Sequence, residues 1–296
     1  MLPSFVSPSR VARDSRRARA GVTAVTVSSR RLGAIVATGV LAALNGACGE
    51  RPLEPRPPDP GAPHFTVMSY NIELGAKREP STLQSIGDID ADLVGLQEVT
   101  PEAEAWLRVA YAEQYPYQLY KSKGGAGGLA ALSRFPLVDR GLRPAPNEDW
   151  HPAWHLEADT PAGPVQILDV HLRSLFSGDP NPVESYLNTG SDHRTEMELF
   201  SEWCEQSIPT IVLGDFNESP DGPAVSYLEG RGFLNVLPAF RPGQPTWRFR
   251  STGDQFSETF DHILINSALV PLDAWVNRRG ESDHMPVLAH LEPRSW

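Results

Sequence analysis

Seven short apolar segments, each bounded by turn residues, do most to limit what this chain can fold into. Runs of this length are typical of β-strands, and three further stretches between them are predicted to be helices. Many strands with few helices predict two sheets packed face to face with helices outside. The predicted strands are Phe65–Asn71, Leu93–Glu98, Leu129–Ser133, Val165–His171, Thr210–Asp215, Phe260–Ile265 and Val287–Leu291. The predicted helices are Ser81–Ile86, Glu102–Glu113 and Arg194–Glu205.

Local signals refine the predicted helices. Pro101 directly before Glu102 is typical of a helix start. Asp192 is expected to cap the third helix, because its carboxylate can accept free backbone N–H groups. Residues 177–192 before it are expected to form a solvated loop on the substrate side. Cys204, near the end of the third helix, is expected to be a buried free thiol.

The first 50 residues differ from the rest, with seven arginines and only two acidic residues. The apolar run Leu32–Leu44 follows this basic stretch, a pattern typical of a secretory signal peptide. The run is shorter than the ~20 apolar residues that span a bilayer. Leu44–Cys48 resembles a bacterial lipobox, which would attach a lipid to Cys48. The protein is therefore expected to be exported, as a cell-envelope lipoprotein or in secreted or periplasmic form; the alternative is a basic tail on a cytosolic enzyme.

The composition changes twice along the chain, which predicts three parts. Residues 1–48 form the export segment, residues 49–63 a proline-rich spacer, and residues 64–296 one catalytic domain. From residue 51 onward there are 19 basic and 35 acidic side chains, a net charge of −16. Duplex DNA binding depends mainly on a basic surface. The charge therefore argues against a tight duplex binder, but it does not exclude a nuclease whose metal neutralises the phosphate locally.

Polar residues end or directly follow six of these apolar segments. Strand ends in a sandwich meet at one rim, so these side chains are expected to lie together. Carboxylates are hard oxygen ligands suited to Mg²⁺ or Mn²⁺, and no Cys or His cluster has zinc spacing. Amides and histidines can donate to phosphate oxygens or move protons. The set is Asn71, Glu98, His171, Asp215, Asn217, Asp261, Asp283 and His284.

Other polar features carry weaker signals. A single Asp or Asn at a strand end is usually a turn-former, so only the ordered set points to a site. His151 and His155 are predicted to be surface or core histidines, because no further ligand pattern accompanies them. The glycine-rich run Lys121–Gly128 lacks the residue order of a P-loop and predicts a flexible loop.

The ordered segments resemble the endonuclease/exonuclease/phosphatase family. This family includes pancreatic-type deoxyribonucleases, abasic-site endonucleases, bacterial sphingomyelinases and inositol polyphosphate phosphatases. The resemblance runs from Phe65 to Leu291, and its most specific parts are GDFN at 214–217 and SDHMPV at 282–287. It is supported by LSRFP at 132–136 and by the threonine–tryptophan pair at 246–247.

The resemblance implies a fold and a metal site. The fold would be an α/β four-layer sandwich, in which two packed mixed β-sheets are flanked by helices. Asn71, Glu98 and Asp283 would bind the metal, with Glu98 as the principal ligand. The ion would be Mg²⁺ or Mn²⁺, and whether one or two ions bind is left open.

The resemblance also implies catalytic roles. Asp215 would orient or deprotonate the attacking water, and Asn217 would hold the scissile phosphate. His284 would donate to a phosphoryl oxygen or serve as a base, paired with Asp261. His171 would act as a general acid or a phosphate ligand.

The implied activity is metal-dependent hydrolysis of phosphate esters by a monomeric enzyme. Nuclease, lipid phosphodiesterase of the sphingomyelinase type and phosphatase remain open as substrate classes. The alternative from another class is a non-catalytic binding module that retains the fold. Arg173 and Trp247 are weaker candidates for substrate contact. Thr259 and Phe260, directly before Asp261, stand where many members have an arginine and an aliphatic residue, which would alter substrate contacts.

Overall fold

The structure of this chain is a computed structural model. The model describes residues 51–74, 80–148, 150–174, 182–205, 207–250 and 255–294. The predicted export segment, including Cys48, lies outside these residues. Among the described helices, none combines the length and apolar character needed to cross a bilayer.

The first of two six-stranded sheets contains both parallel and antiparallel pairs. β1 pairs parallel with β2 and antiparallel with β14. Its strands, in spatial order, are β13 (Leu269–Val276), β14 (Val287–Pro293), β1 (Phe65–Asn71), β2 (Leu93–Gln97), β4 (Leu129–Ser133) and β3 (Tyr117–Lys121). The carboxyl ends of β1 and β2 therefore lie at the same edge as the start of β14.

The second sheet repeats this arrangement. β7 pairs parallel with β8, and β12 pairs antiparallel with β8. Its strands, in spatial order, are β5 (Leu137–Arg143), β6 (Ala153–Thr160), β7 (Gly163–His171), β8 (Thr210–Asp215), β12 (Asp261–Ile265) and β9 (Leu234–Asn235). The carboxyl ends of β7 and β8 therefore lie beside the start of β12.

Helices and a short hairpin complete the fold. The hairpin pairs β10 with β11. The remaining elements are α1 (Pro80–Ile89), α2 (Pro101–Ala110), α3 (Pro182–Ser201), α4 (Pro223–Gly230), α5 (Val236–Phe240), β10 (Trp247–Arg250) and β11 (Gln255–Glu258).

Three buried apolar clusters separate four layers. The central cluster lies between the two sheets, and the outer two lie between one sheet and its helices: α1 and α2 on the first, α3 and α4 on the second. Strand side chains alternate between faces, so β1 places Phe65 and Val67 in the central cluster and Met68 and Tyr70 against the helices. The predicted four-layer α/β sandwich of two mixed sheets flanked by helices is confirmed.

Most predicted strands and the start of the second helix are confirmed. α2 begins at Pro101, where the Thr100 side chain accepts a hydrogen bond from the Ala103 N–H at 3.2 Å. The prediction for the third helix is wrong at its start. α3 already begins at Pro182, so Asp192 lies inside the helix rather than capping it, and the predicted loop is helical from residue 182 onward.

The described part of the proline-rich segment lies on the domain. The Leu53 N–H donates to the Ala239 carbonyl at 2.8 Å, and the Arg56 N–H donates to the Leu272 carbonyl at 3.0 Å. These bonds attach an otherwise exposed, extended chain to α5 and β13. Its function as a spacer stays a prediction.

Candidate active site

The polar strand ends of both sheets meet at one rim. The Asn71 side chain, from β1 of the first sheet, donates to Asp215 Oδ2 of the second sheet at 3.0 Å. A second link beneath it joins Gln97 Nε2 to Asp169 Oδ1 at 2.7 Å. The expectation that strand ends from the two sheets converge is therefore confirmed for this pair.

Asp215 lies at the centre of the cluster. Its Oδ2 is 3.5 Å from Nε2 of His171 and 3.5 Å from Nε2 of His284, while its Oδ1 accepts the Asn217 N–H at 2.9 Å. Burial acts to raise the pKa of Asp215, but the charges of His284 and His171 outweigh it and lower the pKa. The carboxylate is therefore ionised at neutral pH, between two imidazoles.

His284 is held by a second carboxylate. Its Nδ1 lies 3.0 and 2.9 Å from the two oxygens of Asp261, which is fully buried. Burial acts to lower the pKa of His284, but Asp261 and Asp215 outweigh it and raise the pKa to about 10. His284 is therefore a protonated ring whose two N–H groups face carboxylates, and the predicted pairing with Asp261 is present.

Asn71 and Glu98 form the next part of the rim. Asn71 Nδ2 also approaches Glu98 Oε1 at 3.2 Å. Glu98 follows the end of β2 in the left-handed region, with φ of +61°, which is uncommon for residues other than glycine. Burial raises the pKa of its carboxyl group. This unusual backbone turns Glu98 toward Asn71 immediately after the strand ends.

Hydrogen bonds from Ser282 and from the Asp283 backbone hold Asp283 beside the carboxyl end of β1. The Ser282 hydroxyl donates to the Asn71 carbonyl at 2.8 Å, and the Asp283 N–H donates to Glu73 Oε2 at 3.0 Å. Asp283 Oδ2 accepts the Trp247 indole N–H at 3.0 Å. Its other oxygen, Oδ1, is buried and has no hydrogen-bond partner among the described residues. A buried carboxylate oxygen without a donor suits a cation, so the residues fit the predicted hard metal ligands.

A second group of residues could hold a metal ion. Asp215, Asp261 and His284 each offer a ligand atom within 4.8 Å of the others. Only a neutral imidazole nitrogen binds a metal, however, and the two carboxylates keep the His284 ring protonated. This arrangement favours a proton-handling group and leaves Glu98, Asn71 and Asp283 as the better oxygen ligands.

The predicted substrate contacts lie beside the rim. Asn217, with φ of +51°, donates one side-chain N–H to the Leu172 carbonyl at 3.0 Å, which joins the ends of β7 and β8. The Arg173 guanidinium forms an ion pair with Asp192.

Trp247 is only 6% exposed and forms an isolated antiparallel bridge with His284. The structure thus places Trp247 as the donor to Asp283. Its predicted contact with substrate, like that of Arg173, stays a prediction.

A buried support beneath the rim was not predicted from the sequence. His193 Nε2 lies 2.6 Å from the Arg173 carbonyl, and its Nδ1 lies 3.0 Å from Glu218 Oε2. Glu218 directly follows Asn217, so His193 connects the segments that follow β7 and β8. Its helical spacing to Met197 was the available signal, because residues i and i+4 share a face.

A second histidine was also missed. His151, predicted to be a surface or core residue, packs its ring against His171 with centroids 4.8 Å apart. His155, four residues later, instead lies on β6 beside Arg143, as predicted for a core residue. Spacing within the sequence carried no signal that would separate the two histidines.

Comparison with known proteins identifies the family. Residues 68–284 match the model of the Endonuclease/Exonuclease/phosphatase family. The human Endonuclease/exonuclease/phosphatase family domain-containing protein 1 is 24% identical over 264 aligned residues, which cover 77% of this chain and 44% of that protein. The chain thus spans less than half of the length of this relative.

Solved structures agree on the fold. An endonuclease/exonuclease/phosphatase from Beutenbergia cavernae DSM 12333 matches with a TM-score of 0.58 and 16% identity, over 78% of this chain and 72% of that one. D. rerio TDP2 complexed with single strand DNA product matches with a TM-score of 0.60 and 15% identity, over 77% and 99%. Because the family match covers most of the described domain, this chain belongs to the Endonuclease/Exonuclease/phosphatase family.

Proposed function

We propose that this chain is an exported hydrolase that cleaves phosphate esters by in-line attack of water, with Mg²⁺ or Mn²⁺ bound at the rim. The observation that carries the proposal is the environment of Asp215. A buried, ionised carboxylate lies between two imidazoles, each 3.5 Å from Oδ2. Such a carboxylate can orient a water molecule and accept its proton while flanking groups contact the phosphate.

Each rim residue contributes one part of the reaction. Asp215 orients the attacking water. His284, kept protonated by Asp261, donates from Nε2 to a phosphoryl oxygen as negative charge grows there. Removing one such preorganised donor typically costs about 10²–10³ in rate. His171 donates on its own side of Asp215, to the phosphate or to the leaving oxygen.

Glu98, Asn71 and Asp283 would hold the divalent cation. When bound, the cation supplies Lewis-acid polarisation of the phosphoryl group. The chain's own contribution is orientation: Asn71 donates to both Glu98 and Asp215 and thereby couples the predicted metal ligand to the predicted base.

Charge guides the choice of substrate. The net charge of −16 from residue 51 onward disfavours tight binding of duplex DNA. The related TDP2 structure holds a single strand DNA product, which makes a single-stranded nucleic acid the second candidate beside a small phosphodiester. Hydrolysis assays on a panel of substrates separate these classes and also test the lipid phosphodiesterase alternative. The panel contains plasmid DNA, single-stranded DNA, abasic duplex, sphingomyelin, inositol phosphates and nucleotides.

Export is proposed from the sequence of the first 48 residues. The basic stretch, the apolar run and the lipobox-like Leu44–Cys48 support it. Replacing Cys48 with Ala should move the protein from the membrane fraction to the soluble exported fraction. Wild-type protein that stays in the cytosol, with residues 1–48 intact, would contradict export.

Hydrolysis of bis-p-nitrophenyl phosphate tests the catalytic proposal. Turnover should require Mg²⁺ or Mn²⁺, stop on addition of a chelator and return when metal is restored. His284→Ala should abolish turnover while the protein stays folded by circular dichroism. Absence of metal-dependent turnover on every substrate of the panel would favour the alternative, a binding module that retains the fold.

A further inference from the structure

A third imidazole, His151, lies at the rim and has no part in the roles given above. Its ring packs against His171 with a centroid distance of 4.8 Å and an interplanar angle of 39°. The His151 side chain is partly exposed. The residue lies just before β6, on a segment that reaches the site from outside the predicted polar strand ends.

The glycine-rich loop, Lys121–Gly128, is attached beside the predicted metal ligand. The Lys123 N–H donates to the Val99 carbonyl at 3.1 Å, and the Val99 N–H donates to the Gly128 carbonyl at 3.0 Å. A Cβ at Gly128 would lie 1.9 Å from the Val99 oxygen, so only glycine permits this approach. Val99 directly follows Glu98, so both ends of the loop are tied to the rim.

The same loop contacts both imidazoles. His171 Nδ1 lies 3.0 Å from the Ala126 carbonyl. A carbonyl only accepts, so Nδ1 donates to it, and Nε2 is left facing Asp215. A Cβ at Gly127 would lie 2.8 Å from His151 Nδ1. The loop therefore sets the orientation of His171 and packs directly against His151.

These contacts determine which nitrogen of His151 carries the proton. Nδ1 is buried and has no hydrogen-bond partner among the described residues. A buried N–H without an acceptor is rarer in proteins than an unpaired acceptor, so the proton belongs on Nε2. Burial, together with the charges of His171 and Lys123, lowers the pKa of His151 to about 4. At neutral pH the ring is uncharged and presents one N–H donor.

We propose that His151 is a further substrate-binding residue, whose Nε2–H donates to an oxygen of the phosphate ester on the His171 side of the cleft. The glycine-rich loop holds the ring in this position. An uncharged donor binds the anionic substrate without repelling the cation at Glu98. The inference rests on the proposed hydrolase function and adds a binding group to the same site.

Two substitutions of His151 in the full-length chain test the proposal. His151→Phe keeps a planar ring and removes the donor, whereas His151→Gln keeps an N–H donor. A hydrogen bond to a charged group contributes about 1.5–3 kcal/mol, so His151→Phe should lower kcat/KM for bis-p-nitrophenyl phosphate about 10–100-fold. His151→Gln should retain clearly more activity. The control His290→Phe, at a partly exposed histidine that contacts His64 and is not among the rim residues, should match wild type.

A matched pair of glycine variants tests the loop. Gly127→Ala should act like His151→Phe, because its Cβ displaces the ring. Gly124→Ala should match wild type, because a Cβ there has no atom within 4 Å. Equal kcat/KM for wild type and His151→Phe, or for the two glycine variants, would overturn the proposal.

Phosphate binding provides a readout that needs no turnover. Calorimetric titration of inorganic phosphate in the presence of Mg²⁺ should show at least about tenfold weaker binding by His151→Phe, with an unchanged thermal midpoint. If His151→Phe fails to fold, Gly127→Ala carries the same test, with Gly124→Ala as its control. Wild-type protein without turnover defeats the proposed function. Turnover and phosphate binding that are unchanged in the variants defeat only the role of His151.

Discussion

Replacing Asp261 with Asn removes a charge from the site and almost no volume. Both carboxylate oxygens of Asp261 lie within 3.0 Å of His284 Nδ1, and Asp261 is fully buried. Solvent therefore screens this pair little. The substitution isolates the electrostatic contribution of Asp261 to the protonated state of His284.

The magnitude follows from the pKa of His284. Burial lowers this pKa, but Asp261 and Asp215 raise it from 6.5 to about 10. That change corresponds to about 5 kcal/mol of preference for the charged ring. Asp261 is the larger of the two carboxylate contributions, so Asp261→Asn should lower the free energy of unfolding by about 3 kcal/mol, near the cost of breaking a buried ion pair.

The sign of the pH dependence follows from the direction of the shift. A group whose pKa is raised on folding stabilises the folded protein fully at pH values below its pKa in the unfolded chain. This stabilisation is lost as the pH rises through its pKa in the folded protein. The difference in the free energy of unfolding between wild type and Asp261→Asn should therefore be largest near about pH 6 and shrink toward about pH 9. Urea unfolding of both proteins at several pH values measures this difference.

Asp273→Asn is the matched control, because its ion pair with Arg241 is partly exposed and should contribute less than about 1 kcal/mol. A difference for Asp261→Asn that is below about 1 kcal/mol near pH 6, or that stays constant to about pH 9, would refute the reasoning.

Three further predictions concern the metal, a strand contact and the thiol. Glu98→Gln should raise the Mg²⁺ concentration for half-maximal turnover at least about tenfold; an unchanged metal titration would discredit Glu98 as a ligand. Gly214→Ala should lower the free energy of unfolding by about 3 kcal/mol or more, because its Cβ would lie 1.9 Å from the Val170 oxygen at φ of +144°; a wild-type urea midpoint would contradict this. Cys204, whose pKa burial raises to about 11, should react with iodoacetamide about 100-fold more slowly than in the unfolded chain near pH 8; equal rates would contradict its burial.

Central strands other than β6 could be predicted from the sequence, and edge strands could not. Phe65–Asn71 and Thr210–Asp215 agree with the structure to the residue, because both are buried runs that end in a polar residue. β5 (Leu137–Arg143) was missed because it lies at a sheet edge and exposes most of its side chains. An exposed strand needs no apolar pattern, so its sequence resembles that of a loop.

At the site too, the residues that could be predicted are those next to buried apolar strands. Asn71, Asp215 and Asp261 could be found because each lies at the end or the start of an apolar strand, where the fold brings strand ends together. His151 could not, since its contact with His171 depends on a loop that approaches from elsewhere in the chain. Asp192 carries a capping pattern in sequence, yet α3 begins ten residues earlier at Pro182, and Asp192 pairs with Arg173 from inside the helix.

Locating Mn²⁺ by anomalous diffraction from a soaked crystal tests the central claim most directly. The claim is that strand ends from both sheets place hard oxygen ligands around one rim site that serves ester hydrolysis. The predicted result is an anomalous peak about 2.0–2.6 Å from carboxylate oxygens of Glu98 and Asp283. A peak between Asp215, Asp261 and His284 instead, or none at the rim, would contradict the assignment.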